Sequence, residues 1–192
     1  MNYCDQDEKY LANASLAGDT DAFSQLVMRH QDAVYNLAYR LCHNTATAED
    51  MAQEAFVRAF QKLHQYQSSY SFRNWVLGIC ANLCRSRYRW WRREKKKRQA
   101  YAVEMAIHQE TSENDNLEDR SQAKERERLD RALAALPVRL RGPLVLKYIE
   151  GMSVQEVATT LGISLSAAKM RLARGREQMK EIMSNSDCHK EP

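Results

Sequence analysis

At 192 residues, 44% of them apolar, the chain is long enough to bury the core of one or two small domains. No run approaches the roughly 18 apolar residues of a membrane span, and Met1-Asn2-Tyr3-Cys4-Asp5 has no basic or apolar leader region. The net charge of +4 is unevenly spread: residues 1–66 carry nine acids and five bases (net −4), residues 85–98 nine bases and one acid (net +8), and residues 101–119 six acids and no base (net −6), which points to one surface for nucleic acid and others for protein.

Only three prolines and six glycines interrupt the chain, and no alternating strand pattern occurs, so nearly everything reads as helix. A first helix is expected from about Glu8 to Ala17, stopped by Gly18. Thr20 or Asp21 caps a second, with Phe23, Leu26, Val27, Val34, Leu37, Ala38 and Leu41 at helical spacing. Thr47-Ala48-Glu49-Asp50 reads as a variant capping box opening a third helix to about Leu63. Met51, Ala55, Phe56, Ala59, Phe60 and Leu63 form its core side. Asp50, Gln53, Glu54, Val57, Arg58 and Gln61 fall largely on the other side, either as a plain solvated face with a Glu54–Arg58 pair or as a partner-binding face.

His64 to Ser71 is a polar loop, and a fourth helix follows from about Phe72 towards Trp91. Its second half, Arg85 to Arg98, mixes basic residues with Tyr88, Trp90 and Trp91. Cations attract phosphate, and flat rings stack on unpaired bases; a solvated helix end whose tryptophans enter a core is the plainer alternative. From about Lys95 to Arg120 apolar periodicity is lost, which predicts a linker. A second helical domain begins with Leu129, Leu133 and Leu136 before Pro137, and Pro143 lies near the start of another helix. The expected organisation is all-α: two small helical domains, 1–93 and 122–185, joined by a flexible linker over 94–121, with a tail at 186–192.

Residues 153–176 form the strongest local signal. Ser153-Val154-Gln155-Glu156 is a capping box, Val154, Val157, Ala158 and Leu161 repeat at helical spacing, and Gly162 can end the helix at positive φ. Ser164 caps a second helix, which carries Leu165, Ala168, Leu172, Gly175 and Met179 on an apolar stripe about 80° wide. Ser166, Met170, Ala173 and Arg174 face away, flanked by Ala167 and Lys169, with Arg171 and Arg176 towards the edges. This is the division a helix-turn-helix requires: one side docked on a scaffold helix, the other offering small and basic groups to a major groove. Arg174 and Lys169 can reach guanine edges, and Arg171 is better placed for phosphate.

Two separated stretches resemble one family, the extracytoplasmic-function sigma factors of bacteria. Ala48 to Phe60, with Gln53-Glu54-Ala55-Phe56, resembles region 2.2, and Phe72 to Asn82 resembles region 2.3. Ile149 to Ser153, continuing through Leu161-Gly162 to Leu172, resembles region 4.2. The resemblance covers nearly the whole chain and implies a promoter-specificity subunit that binds core RNA polymerase, recognises −35 and −10 elements and opens the duplex without ATP. It implies core binding by Asp50, Gln53, Glu54, Val57 and Arg58 on the clamp helices, and a second contact on the flap. Tyr70, in the loop Gln67 to Ser71, would receive an unstacked −10 base, with Arg73, Trp75 and Asn82 along the melted strand. Arg85, Arg87 and Arg89 would follow duplex phosphate. Ser166, Lys169, Met170, Arg171 and Arg174 would read the −35 element. An anti-sigma partner, often membrane-anchored in this family, is implied as the regulator, with no membrane insertion by this chain. The recognition helix departs from the family pattern: Ser166-Ala167-Ala168 replaces the usual Gly-Thr-Val, and Met170 a common Ser.

The five cysteines (4, 42, 80, 84, 188) are odd in number and lack paired spacing, which points to free thiols in a reducing, cytoplasmic compartment. Cys80 and Cys84, with His43 or His64, lack the spacing of a metal site, so no metal or cofactor is expected; a redox switch is the minor alternative. There is no phosphate-cradling glycine loop and no nucleophile elbow, so an enzyme is not expected. The competing function class is a stand-alone helix-turn-helix regulator, dimerising through its N-terminal helices and binding a palindrome without polymerase.

Overall fold

The computed structural model of the chain describes residues 6–67, 70–99 and 120–188, and every regular element among them is helical. Helix α1 (Glu8–Leu16) starts behind Asp7 and ends just ahead of Gly18, whose φ is +99°. Helix α2 (Thr20–Cys42) is capped by Asp19, not by Thr20 or Asp21: its carboxylate accepts from the N–H groups of Asp21 and Ala22. Helix α3 (Thr45–Gln61) likewise starts earlier than Thr47, behind Asn44, which accepts from the Thr47 N–H at 2.8 Å. Both corrections have one cause. A short Asp or Asn side chain just outside the helix satisfies first-turn N–H groups that a residue inside the turn cannot reach.

A 3-10 turn (Leu63–Gln65) leads to helix α4, which runs unbroken from Phe72 to Gln99. It therefore continues past Trp91 and across the expected boundary at residue 93, since Arg and Lys are good helix formers. Of the expected linker, residues 94–99 are helical, residue 120 opens helix α5, and 100–119 lie outside the described residues.

Helices α1 to α4 enclose one core. Leu26, Val34, Leu37 and Leu41 from α2 meet Met51, Ala55, Phe56 and Ala59 from α3 and Phe72, Val76, Leu77, Cys80 and Ala81 from α4. Phe60 is the exception among the expected core residues: it is 47% exposed and rests edge-on against Phe23, ring centres 4.9 Å apart. Glu8 ties this bundle together. One of its oxygens contacts His30 Nε2 at 2.9 Å and the other accepts from the Phe72 N–H at 3.1 Å. A carboxylate is well placed there, beside the positive end of the α4 dipole.

The second bundle comprises α5 (Arg120–Ala135), α6 (Val138–Leu144), α7 (Val154–Leu161) and α8 (Leu165–Cys188). Pro137 caps α6. Pro143 falls inside the last turn of α6 rather than near a helix start, and a π turn (Val145–Ile149) follows it. A proline has no N–H for the helical ladder, so a change of register beside it is expected. Helix α8 extends past residue 185; of the expected tail, 189–192 lie outside the described residues.

The two bundles share one continuous core, joined at Arg141. Its guanidinium is buried and donates to the carbonyls of Arg40 and Leu41, at the end of α2, and of Ala134 and Leu136, at the end of α5. Burial lowers its pKa to about 10, which leaves it charged at neutral pH. Two helix C-termini point their unpaired carbonyls at this one cation, so the negative ends of two dipoles stand in for a carboxylate.

The thiols of Cys42, Cys80 and Cys84 are free, and the last two are buried. A hydrogen bond with Cys84, then burial, pushes the Cys42 thiol well up. At Cys84 the bond with Cys42 acts downward, but the bond with Cys80 and burial outweigh it. Raised thiols are poor nucleophiles, which weighs against the redox alternative.

His43 follows α2 in the left-handed region at φ 50°. Burial first, and then the Arg141 charge, lowers it to about 4. The unfolded chain therefore binds a proton that the folded chain refuses between the ordinary value of 6.5 and about 4. Stability is full above that window and falls as the pH drops through it. Thermal melts from pH 7 to pH 4.5 should show a falling midpoint, and His43→Asn, which tolerates the left-handed region, should flatten the fall. An unchanged slope in the variant would rule His43 out as its source.

Candidate nucleic-acid interface

The helix-turn-helix forms as its sequence dictates. The Glu156 N–H donates to Ser153 Oγ at 3.1 Å, and the Ser153 N–H donates to Glu156 Oε2 at 2.8 Å, closing the capping box. Gly162 takes φ 61° and ends α7, and Ser164 Oγ accepts from the Ala167 N–H at 3.2 Å to start α8. Val157, Ala158 and Leu161 are buried against Ala168 and Leu172. Gly175 lies so close to α6 that a Cβ there would come within 3.4 Å of the Leu140 carbonyl oxygen. Leu165 departs from the expected stripe: at 38% exposure it lies at the open end of the helix. Ser166, Lys169, Met170 and Arg174 all face solvent, and Arg171 is half-buried at the edge of the same face.

The start of α4 builds the second candidate surface. Trp75 packs against Tyr66 and Phe72, ring centres 5.4 and 5.7 Å away, and the Tyr66 hydroxyl donates to the Tyr70 carbonyl at 2.7 Å. This fixes the end of the loop and leaves the Tyr70 ring 56% exposed. Ser68 and Ser69 lie outside the described residues. Asn82 accepts from Arg85 at 2.8 Å, one turn further on. Tyr70, Trp75 and Asn82 line one cleft of about 440 Å³.

The far wall of that cleft is not foreseen from the sequence: it is α7, through Gln155, Glu156, Thr159 and Thr160. Arg73 is turned to the other bundle, donating to Glu150 Oε2 at 2.5 Å. Asn74 donates to Glu156 Oε1 at 3.0 Å. Burial lowers the Arg85 pKa, and the charges of Arg89 and Arg171 lower it further.

A third surface lies between α3 and α4. Asp50, Gln53, Glu54, Val57 and Arg58 share a cleft of about 680 Å³ with Leu83, Ser86, Arg87 and Trp90. Glu54 and Arg58 pair at 2.6 Å, and Val57 is 51% exposed. Arg87 stacks over the Trp90 ring at 5.5 Å. Arg87 is thereby separated from Arg85 and Arg89, with which the sequence groups it, because alternate residues of a helix fall on opposite sides. Trp90 belongs to this cleft, and the spacing of Leu83, Arg87 and Trp90 is the signal that places it there. A fourth, apolar groove in the second bundle has no counterpart in the sequence reading. Leu129, Tyr148, Ile149 and Met179 line it, with Arg128, Arg176 and Lys180 at its rim. Among the described residues no cluster of His, Cys, Asp or Glu is arranged to hold a metal ion.

The chain matches two family models, Sigma-70 region 2 over residues 26–106 and Sigma-70, region 4 over residues 126–179. It is 34% identical over 164 residues to the ECF RNA polymerase sigma factor SigE of Mycolicibacterium smegmatis, covering 85% of this chain and 62% of that protein. It is 31% identical over 174 residues to the ECF RNA polymerase sigma factor SigW of Bacillus subtilis, covering 85% and 90%. Among solved structures, CnrH in complex with the cytosolic domain of CnrY matches with a TM-score of 0.66 and 27% identity, covering 93% of this chain and 99% of that one.

Proposed function

Because this chain belongs to the extracytoplasmic-function sigma factors of the sigma-70 family, we propose that it directs core RNA polymerase to promoters by reading −35 and −10 elements and stabilising the melted strand. The observation that carries this is the coexistence, in one chain, of an exposed basic recognition helix and an aromatic cleft at the start of α4. A duplex reader alone has no use for the cleft, whereas unpaired bases stack on such rings. Relatives that are sigma factors along both halves favour this reading over a stand-alone regulator.

In this reading residues 1–93 bind polymerase and the −10 element, residues 122–185 bind the −35 element, and residues 94–121 connect them. Asp50, Gln53, Glu54, Val57 and Arg58 dock on the clamp helices of the core enzyme, with Trp90 as an added wall of the same cleft. Tyr70, Arg73, Trp75 and Asn82 hold the melted −10 strand. Arg85 and Arg89 follow phosphate; Arg87 shares the cleft with Trp90 and is better placed to help clamp docking. Ser166, Lys169, Met170, Arg171 and Arg174 read the −35 element. The apolar groove around Tyr148 and Ile149 suits the polymerase flap, and an anti-sigma factor would compete for it. Among the described residues no helix is long and apolar enough to cross a membrane, which accords with action in the cytoplasm where polymerase works.

Two measurements test these assignments. Gln53→Ala with Glu54→Ala, and separately Trp90→Ala, should weaken binding to core polymerase by about tenfold or more while leaving affinity for free DNA unchanged. Equal losses in both assays would count against the clamp assignment. Arg174→Ala should cost about 1–3 kcal/mol at the −35 element and relax its base preference. A smaller salt slope with unaltered preference would reassign Arg174 to phosphate.

A further inference from the structure

Helix α1 lies outside both family-model matches, the first of which begins at residue 26, yet it is built onto the back of the strand cleft. Its start is fixed from α2. The Arg29 guanidinium donates to the Gln6 carbonyl at 2.7 Å, and the Asp7 carboxylate accepts from the Lys9 N–H at 3.3 Å. Leu11 and Ala12, both buried, seat the helix on the first core. Glu8 is thereby held with its side chain turned into the bundle and only 29% exposed. Its Oε2 accepts from the Phe72 N–H, 64 residues away in the chain, and its Oε1 lies 2.9 Å from His30 Nε2. Phe72 is the first residue of α4, so its N–H is one of those a helix leaves without an internal acceptor.

The Phe72 ring is fully buried, and the cleft is assembled around it. Its centre lies 5.7 Å from Trp75, 5.5 Å from Tyr66 and 5.7 Å from the His30 ring. Tyr66 in turn holds the Tyr70 carbonyl. Both rings offered to an unpaired base, Trp75 and Tyr70, therefore trace back to Phe72. Burial, and then the charges of Glu8 and Asp7, push the Tyr66 hydroxyl up, which places both carboxylates behind the same wall. We infer that Glu8 is a positioning residue for the strand cleft: its carboxylate caps α4 at Phe72 from outside that helix and so fixes the ring on which Trp75 and Tyr66 are set. The inference rests on the proposed binding of melted strand by this cleft. Without the carboxylate the part-buried Phe72 N–H has to turn to water. The first turn of α4 then loosens, and Trp75, within that turn, loses its backing. Further along α4 the buried Val76, Leu77 and Cys80 hold the helix independently, so the α3–α4 cleft around Arg87 and Trp90 keeps its shape. The loss falls on strand capture and spares docking on polymerase.

The test uses the full-length chain with core polymerase and compares it with Glu8→Ala and Glu8→Gln. Glutamine keeps an oxygen that can accept the Phe72 N–H, and alanine does not. Two quantities are measured. The first is affinity for core polymerase. The second, at saturating core, is binding of a fluorescent, mixed-sequence single-stranded DNA of about 12 nucleotides, corrected for core polymerase alone. Glu8→Ala should bind core as the unmodified chain does and bind the strand about tenfold more weakly, the loss expected when the cleft is formed in one complex in ten. Glu8→Gln should recover most of that loss. If circular dichroism shows that Glu8→Ala unfolds the first bundle, Glu8→Asp takes its place under the same outcomes, since it keeps the charge but is one methylene short of the Phe72 N–H. Strand binding equal to that of the unmodified chain overturns the inference. Equal losses for core and strand also overturn it, because Glu8 would then only stabilise the bundle. Glu8→Gln no better than Glu8→Ala overturns the capping role. The strand-cleft reading fails separately, if the unmodified chain adds no strand binding to that of core polymerase alone.

Discussion

A buried guanidinium with no carboxylate beside it joins the two halves of this protein. Removing a cation from water is costly unless every donor finds an acceptor. Arg141 meets most of that demand where the carbonyl ends of α2 and α5 converge, Nη1 donating to the first and Nη2 to the second, while its buried Nε has no acceptor among the described residues. Neither bundle alone supplies that environment. The continuous apolar core, with Leu41 of α2 beside Gly142 of α6, follows from the same approach. The halves therefore form a defined interface rather than two beads on a string, and the positions of the candidate sites follow from it.

Helix α4 bears the consequences. Its buried side, through Phe72, Val76, Leu77 and Cys80, builds the first core. A second side, through the buried Leu83 and the exposed Arg87 and Trp90, meets α3 and forms the cleft proposed for the clamp helices. The remaining side, through Asn74, Gly78 and Asn82, meets α7. Three interfaces on one helix explain why its sequence looks so mixed. The basic and aromatic residues from Arg85 onward are not one patch, since the helical period of 3.6 deals them to different partners. The interface between the bundles carries the shared apolar core, the Arg73–Glu150 and Asn74–Glu156 contacts and an Arg40–Asp130 pair at 3.9 Å beside the Arg141 anchor.

What the sequence reveals depends on the range of the interactions involved. The capping box at Ser153, the glycine at 162 and the stripe of α8 are local, and they are legible apart from Leu165, which lies exposed at the open end of the helix. Helix starts were less so: Asp19 and Asn44 sit one residue outside the helices they cap, and the better hydroxyl-looking candidates lie just inside. The apolar periodicity of α3 identified its core but not Phe60, whose ring is drawn to Phe23 across the surface. Tyr70, Trp75 and Asn82 enter as candidates through the family resemblance rather than through any local pattern, and the structure places all three along one cleft. What pattern cannot show is contact between distant segments. Nothing local to Gly78 announces that Thr160 lies against it, and nothing local to Arg141 announces the carbonyls of Arg40 and Leu41. The separation of Arg87 from Arg85 and Arg89 was available in principle from helical geometry, but only once α4 was known to continue unbroken through the basic run.

The most direct test of the account is the distance between the two bundles in the free chain and on a promoter. Spin labels at Asp32→Cys in α2 and Gln178→Cys in α8, both exposed positions, can be placed in a chain with Cys4 and Cys188 changed to serine. The account predicts one short, narrow distance in the free protein. In the complex with core polymerase and promoter DNA it predicts a separation longer by tens of ångströms, because the two elements lie on the order of 85 Å apart. The same short distance in both states would contradict it.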